Sequence, residues 1–177
     1  MFKFFNFSRR NNVVVNNNLS YNNLNIIDNL SSTNNDMPFL TLNNEIKFGY
    51  VVDVYDGDTC KINMYFKDEI YRWNCRIMGI DTPELRTKNE NEKECGYFVR
   101  YKLREKILNK IVIVKCLSFD KYGRLLVNIY EYDNNIDSIN NIENLSSINN
   151  WLISNNYALP YDGGTKTIKE WNINELK

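Results

Sequence analysis

Between Ile46 and Ile77 the sequence alternates apolar and polar residues three times over, and a turn signal cuts each run. In "KFGYVVDVYDG", Phe48, Tyr50, Val52 and Val54 have one parity. "TCKINMYF" puts Cys60, Ile62, Met64 and Phe66 on one face and Lys61 and Asn63 on the other. "IYRWNCRI" repeats the pattern with Tyr71, Trp73, Cys75 and Ile77. A period of two over eight or so residues is that of a half-buried strand, because successive side chains leave opposite faces. Joined by Asp-Gly and Lys-Asp turns, the three runs predict an antiparallel meander. A helical stretch follows, about Glu92 to Asn109, with Val99, Leu103 and Ile107 at i, i+4, i+8 among lysines and arginines. "KIVIVKCL" and "RLLVNIYEY" predict two more strands, separated by "SFDKYG". An Asn-rich insertion, about Asp133 to Asn144, leads into a second helix that Ser146 or Ser147 can cap and whose inner face holds Ile148 and Leu152. Five short strands with interposed helices predict an α+β, mainly β, fold: a five-stranded OB-fold barrel with two to three packed helices.

The flanks read differently. Residues 1–44 are dominated by Asn and sustain no period, so they are expected to be a disordered leader that buries too little apolar surface to order itself. The barrel domain is expected over 45–165, and 166–177 as a short C-terminal tail. "MFKFFNFSRR" at the start is too short in its apolar stretch for a signal peptide, and its arginines follow that stretch rather than precede it. No apolar run approaches the length of a membrane helix, so the chain is read as intracellular, without stable membrane insertion, and as a monomer.

Composition narrows the chemistry. The 177 residues contain no histidine, which removes histidine-dependent hydrolysis, imidazole acid–base work and His-ligated metals. Cys60, Cys75, Cys95 and Cys116 lie too far apart for a zinc finger and are expected as small buried hydrophobes. The formal net charge is zero, unlike that of a nucleic-acid coat protein that binds through a large Lys/Arg excess.

Against that background "RIMGIDTPEL" stands out. It begins as a strand, then sets Arg76, Asp81 and Glu84 within nine residues around Gly79 and Pro83. Buried charge costs several kcal/mol unless paired, so a strand gains nothing from such a cluster unless it serves a site. Arg76 and Asp81 are five apart, and a regular strand would send them to opposite faces. If both address one substrate, the strand must break near Gly79. Two further charged pieces sit at turns: "DGDT", Asp56 to Thr59, and "DKYGR", Asp120 to Arg124. Each piece alone is a commonplace turn or cap; their joint occurrence in this order between strands is specific. Asp58 and Asp81, with a backbone carbonyl such as that of Thr82, could hold a hard cation that wants oxygen ligands. Glu84 could accept a proton from a water beside it. Arg76 and Arg124 could each grip a phosphate with two donors.

Together "VYDGDT", "RIMGIDTPE", "DKYGR" and the closing "NYALPY" resemble the staphylococcal nuclease family, over about Ile46 to Tyr161. The resemblance implies an OB-type barrel and a calcium-dependent phosphodiesterase acting on DNA and RNA. It implies Asp58 and Asp81 as metal carboxylates, Thr82 as the carbonyl ligand and Asp56 as their outer neighbour. It implies Glu84 as general base, Arg76 and Arg124 as the phosphate-gripping arginines, and Lys121, Tyr122 and Tyr161 as the residues around the nucleotide. Two rivals use the same fold: a catalytically silent binding module for nucleic acid or protein, and an OB-fold single-strand binder that stacks bases on Tyr122, Tyr157 and Trp151. The complete set of carboxylates and arginines favours the enzyme.

Overall fold

The structure is a computed structural model, and it describes residues 19–164 and 170–176. The chain divides into two compact units, Met1–Leu40 and Thr41–Lys177. In the first, a helix, α1, runs from Leu19 to Ser31, where the sequence reading assigned no element. Its last carbonyls are met by hydroxyls: Ser31 Oγ donates to Ile27 O (2.9 Å), Ser32 Oγ to Asn29 O (2.7 Å) and Thr33 Oγ1 to Leu30 O (2.7 Å). That local capping, which no periodicity announces, closes the helix C-terminus. Ile26, Ile27 and Leu30 on α1 remain exposed. The aromatic start "MFKFFNFSRR" lies outside the described residues. Among the described residues, no helix is long and apolar enough to cross a membrane.

The second unit holds strands β1 (Ile46–Val54), β2 (Thr59–Phe66), β3 (Glu69–Ile77), β4 (Ile80–Asp81), β5 (Ile111–Phe119), β6 (Leu125–Glu131) and β7 (Leu159–Pro160). It also holds helices α2 (Glu90–Ile107) and α3 (Ile148–Ser154). Five strands close a barrel in the order β1-β2-β3-β6-β5, with β3 and β6 parallel and the other neighbours antiparallel. With α2 and α3 in the same unit this is the expected five-stranded α+β barrel with two helices. β2 reads as the alternation predicts, with Cys60, Ile62 and Met64 buried. β1 does not. Gly49 and Val51 face the core, Tyr50 is exposed, and a register shift between Val51 and Asp53 changes the phase so that Val54 is buried. The expected common face of Phe48, Tyr50, Val52 and Val54 is therefore corrected: the bulge breaks the period of two.

α2 begins two residues before the expected start because Asn89 caps it, its side chain accepting from Asn91 N (3.0 Å) and Glu92 N (3.3 Å). Val99, Leu103 and Ile107 are fully buried, as their spacing implies; each contributes about 1.5–3 kcal/mol by leaving water. Ser147 caps α3, accepting from Asn150 N, and Ile148 and Leu152 are buried beneath it. The 133–144 insertion forms two 3-10 turns, Ile136–Asn140 and Ile142–Asn144. The stretch beyond 165, expected as a tail, adds Trp171 and Leu176 to the core, with a 3-10 turn over Ile173–Glu175. All four cysteines are buried and free.

Candidate active site

The strand break anticipated at Gly79 is present. β3 ends at Ile77, Gly79 takes φ +78°, and the chain resumes in β4, which pairs with β7. Only glycine adopts that backbone freely. Two clamps fix the bend. Met78 N donates to Val127 O (2.9 Å), and the buried Asn149 of α3 donates from Nδ2 to Met78 O (2.7 Å). Tyr161 N donates to Gly79 O (3.0 Å) on the other side.

The turn between β1 and β2 brings in the first acids. Tyr55 N donates to Thr59 O (2.9 Å), and Asp58 N donates to Asp56 Oδ1 (3.2 Å), so the Asp56 side chain shapes its own turn. Gly57 is there for close approach: a Cβ on it would stand 2.8 Å from Thr82 Cβ and Oγ1 and from Val99 Cγ1. The turn thus lies directly against Thr82. Arg76 is opposite Thr59 in the β2–β3 register, and its Nη1 donates to Asp58 Oδ2 in an ion pair. Thr59 Oγ1 donates to Asp58 Oδ1 (2.8 Å) and accepts from Arg124 Nη1 (3.2 Å), which ties the two arginines to one carboxylate.

Arg124 is aimed by the loop before β6. Asp120 accepts from Tyr122 N (2.8 Å), Arg124 N (2.9 Å) and Arg124 Nε (2.7 Å), and Gly123 makes the turn at φ +78°. Burial pushes the Asp120 carboxyl up, but the backbone and side-chain hydrogen bonds from Arg124, the Tyr122 N–H and the Arg124 charge together leave it below its ordinary value. Asp58 goes the other way. Burial first, then the charge of Asp56, push its carboxyl up to about 7 against the pull of Arg76.

These pieces border one open cavity of about 630 Å³. Of the residues the sequence singled out, Asp56, Asp58, Arg76, Thr82, Glu84, Lys121, Tyr122, Arg124 and Tyr161 line it. Asp81 is buried between the lining residues Ile80 and Thr82 and does not itself line the cavity. Among the described residues no group of three or more acids and cysteines gathers as a metal-binding cluster. The donor set still suits a hard cation. The buried Asp58 carboxylate, Asp56 beside it and Thr82 packed against their turn are all oxygen donors, and two neighbouring carboxylates with one desolvated favour a positive charge. Glu84 is exposed at the rim, its N–H donating to Glu92 Oε1 (3.3 Å). Tyr122 is 73% exposed, with Lys121 Nζ and Arg124 Cζ over its ring at 5.1 and 5.6 Å. Tyr161 is held by its hydroxyl, which donates to Gly164 O (2.8 Å).

Two residues of the site carry roles the sequence reading did not assign. Asp120 aims Arg124, and Thr59 bridges both arginines to Asp58. An aspartate three residues before a glycine signals the first; the second depends on the β2–β3 register, which no local pattern gives. The rival single-strand binder would stack bases on Tyr157 and Trp151 as well, but both are half-buried against the core, their ring centroids 5.4 Å apart in an edge contact.

A protein of Methanocaldococcus jannaschii, described as uncharacterized, is 31% identical over 108 residues, covering 50% of this chain and 50% of that protein. The chain thus spans about half the length of this curated relative. The family model described as "Staphylococcal nuclease homologue" matches residues 74–174, more than half of the chain. The match runs from the end of β3 through the strand break, α2, the Arg124 loop and the buried Trp171, while the Asp58 turn precedes it and joins through the barrel register. The chain belongs to the staphylococcal nuclease homologue family.

Proposed function

We propose that the chain is a calcium-dependent nuclease that hydrolyses phosphodiester bonds of DNA or RNA. The observation that carries this is the convergence of Arg76, Arg124 and Glu84 on one open cavity beside the buried Asp58. Asp58, Asp81 and the carbonyl of Thr82 would hold the ion, with Asp56 beside Asp58 on the cavity wall. Bound calcium would supply fixed positive charge beside the phosphoryl oxygens. Glu84, at the rim, takes a proton from the attacking water, and a 5′ oxygen leaves. Arg76 and Arg124 stabilise the charge that develops on the five-coordinate phosphorus. Arg76 uses one nitrogen on Asp58, and Arg124 uses Nε on Asp120 and Nη1 on Thr59. A guanidinium has five donors, so each arginine is oriented by its acid and keeps N–H groups for phosphate. Lys121, Tyr122 and Tyr161 border the nucleotide, the exposed Tyr122 ring offering a stacking face.

The exposure of Tyr122, with two cations near its ring, also favours a second reading, in which the cavity binds nucleic acid without cleaving it. One experiment separates them. The nuclease cleaves a single-stranded oligonucleotide when calcium is added, stops when a chelator removes it, and is silenced equally by Asp58→Ala. Magnesium supports less activity, since it demands tighter octahedral geometry. A folded preparation that binds the oligonucleotide alike with and without calcium and leaves it whole is the binding module.

A further inference from the structure

The outer face of α2 carries a pattern that the cavity does not use. Lys93, Tyr97, Arg100 and Arg104 recur at i, i+4, i+7 and i+11, on a flank that borders the buried Gly96 and Ile107, with the three cations half-buried and Tyr97 exposed. Tyr97 is 48% exposed and Tyr101, beside it, 56%. Arg100 Cζ lies 5.0 Å from the centre of the Tyr97 ring. Arg104 Nη1 donates to Val54 O (3.2 Å) and stands 4.0 Å from Asp53, so this end of the stripe abuts the end of β1. There Tyr55, 41% exposed, has Arg86 over its ring at 5.5 Å. Tyr55 leads into the Asp56–Thr59 turn, and Arg86 follows Glu84 by two residues. The helix also touches the cavity loops themselves: a Cβ on Gly96 would stand 3.0 Å from Pro83 O.

The charges here are mixed: the Tyr101 hydroxyl donates to Glu105 Oε1 (2.8 Å), which also lies 3.6 Å from Lys102 Nζ, and Glu94 is exposed near by. Glu90 pairs with Lys93 at 3.5 Å, while Asp53 bonds Lys61 Nζ (2.9 Å) and stands 4.0 Å from Arg104, which donates to Val54 O. Neither Arg86 nor Arg100 forms an ion pair with any described residue; each lies over a ring instead. Exposed aromatic faces alternating with cations are the chemistry that takes unpaired bases and their phosphates at once. We propose that this face of α2, continued through Tyr55 and Arg86, is a track for single-stranded nucleic acid leading to the cavity. Tyr97, Tyr101 and Tyr55 stack bases, and Lys93, Arg100 and Arg86 neutralise phosphates. The polarity of the track toward a catalytic centre rests on the nuclease reading; the binding itself does not.

The test measures binding without cleavage. A fluorescent oligothymidylate of twenty nucleotides is titrated with the full chain in a chelator, and its anisotropy is followed at several salt concentrations. Replacing Lys93→Gln and Arg100→Gln together removes two phosphate contacts and should lower the slope of log K against log salt by about 1.4, at roughly 0.7 per contact on a single strand. Tyr97→Ala with Tyr101→Ala should weaken binding at least about thirtyfold, while Tyr97→Phe with Tyr101→Phe keeps it, since stacking needs the ring and not the hydroxyl. With calcium, the ratio of kcat/KM on the long strand to that on a dinucleotide should fall in the alanine and glutamine variants. All these side chains are at least partly exposed, and unchanged thermal melting verifies the fold of each variant. A slope and affinity within twofold of the parent's overturn the track. So does equal loss on the dinucleotide, or equal competition by duplex DNA or by polyglutamate of matched charge. Binding that shifts as expected in a chain that never cleaves keeps the track and refutes the nuclease; cleavage with unshifted binding does the reverse.

Discussion

Asp58 should make this protein less stable as pH rises from 4 to 7, the opposite of the usual behaviour of a paired carboxylate. Its carboxyl is pushed from an ordinary 3.8 up to about 7 in the native chain, by burial and by Asp56. Between those values the native state holds a proton that the unfolded chain has released. The native state therefore binds more protons, and unfolding free energy falls with increasing pH until about 7, then levels off. At about 1.4 kcal/mol per pKa unit, the full loss is roughly 4 kcal/mol, an upper bound for a group tied to an arginine. Asp53, Asp120 and Asp133 are shifted below 3.8, so their contributions are lost only at lower pH and do not mask this window. Urea unfolding in a chelator, at pH 4.5 and pH 8, measures the difference. Asp58→Asn has nothing to titrate there, and its amide oxygen can still accept from Arg76. The variant should flatten the profile and be the more stable protein at pH 8. Calcium at a hundred times its Kd should restore about 2.7 kcal/mol to the parent and nothing to the variant. A parent whose stability is flat or rises over this window, or a variant that gains as much from calcium, refutes the reasoning.

Glu84→Gln should keep the fold and lower the cleavage rate by about 10²–10⁴, the usual worth of a positioned base, and single-turnover kinetics on an oligonucleotide would read it. Removing residues 1–40 should leave the melting temperature of the second unit almost unchanged, because that unit has its own core and the apolar residues described on α1 are exposed; calorimetry of the truncated chain checks this. Trp171→Ala should cost about 3–5 kcal/mol in chemical denaturation, as emptying a core site of that size does, whereas a free tail would lose nothing.

How far these residues could be read in advance depended on whether their signal was local. β2 and the buried face of α2 were legible because one unbroken period carried them. β1 was not, because a bulge after Val51 moves the phase by one residue and a buried glycine stands where the pattern wants a side chain. Arg76 and Asp81 illustrate the reverse case: their opposite parity required a break in the strand, and the break stands at Gly79 with positive φ. The role of Thr59 was hidden, since it exists only through the register that sets Thr59 against Arg76 and the loop that brings Arg124 to its hydroxyl. Trp171 was hidden for a related reason. One aromatic in a polar segment has no periodicity, and only the packed core reveals that it is buried.

The balanced charge, 22 basic and 22 acidic residues, takes on a different meaning once the acids are located. Asp58 and Asp120 do not cancel Arg76 and Arg124 so much as fix where their guanidinium groups point. At the end of the stripe on α2 it is the Val54 carbonyl that accepts from Arg104. An exposed lysine holding a phosphate must first lose rotamer freedom of about 1.5–2 kcal/mol, and an arginine already held by an acid has given up much of that in folding. A neutral chain has little long-range field, and beyond about 8 Å at physiological salt what remains is screened. Recognition of a polyanion by such a chain therefore has to come at contact range, from oriented donors and exposed rings. That is the arrangement found around the cavity and along α2.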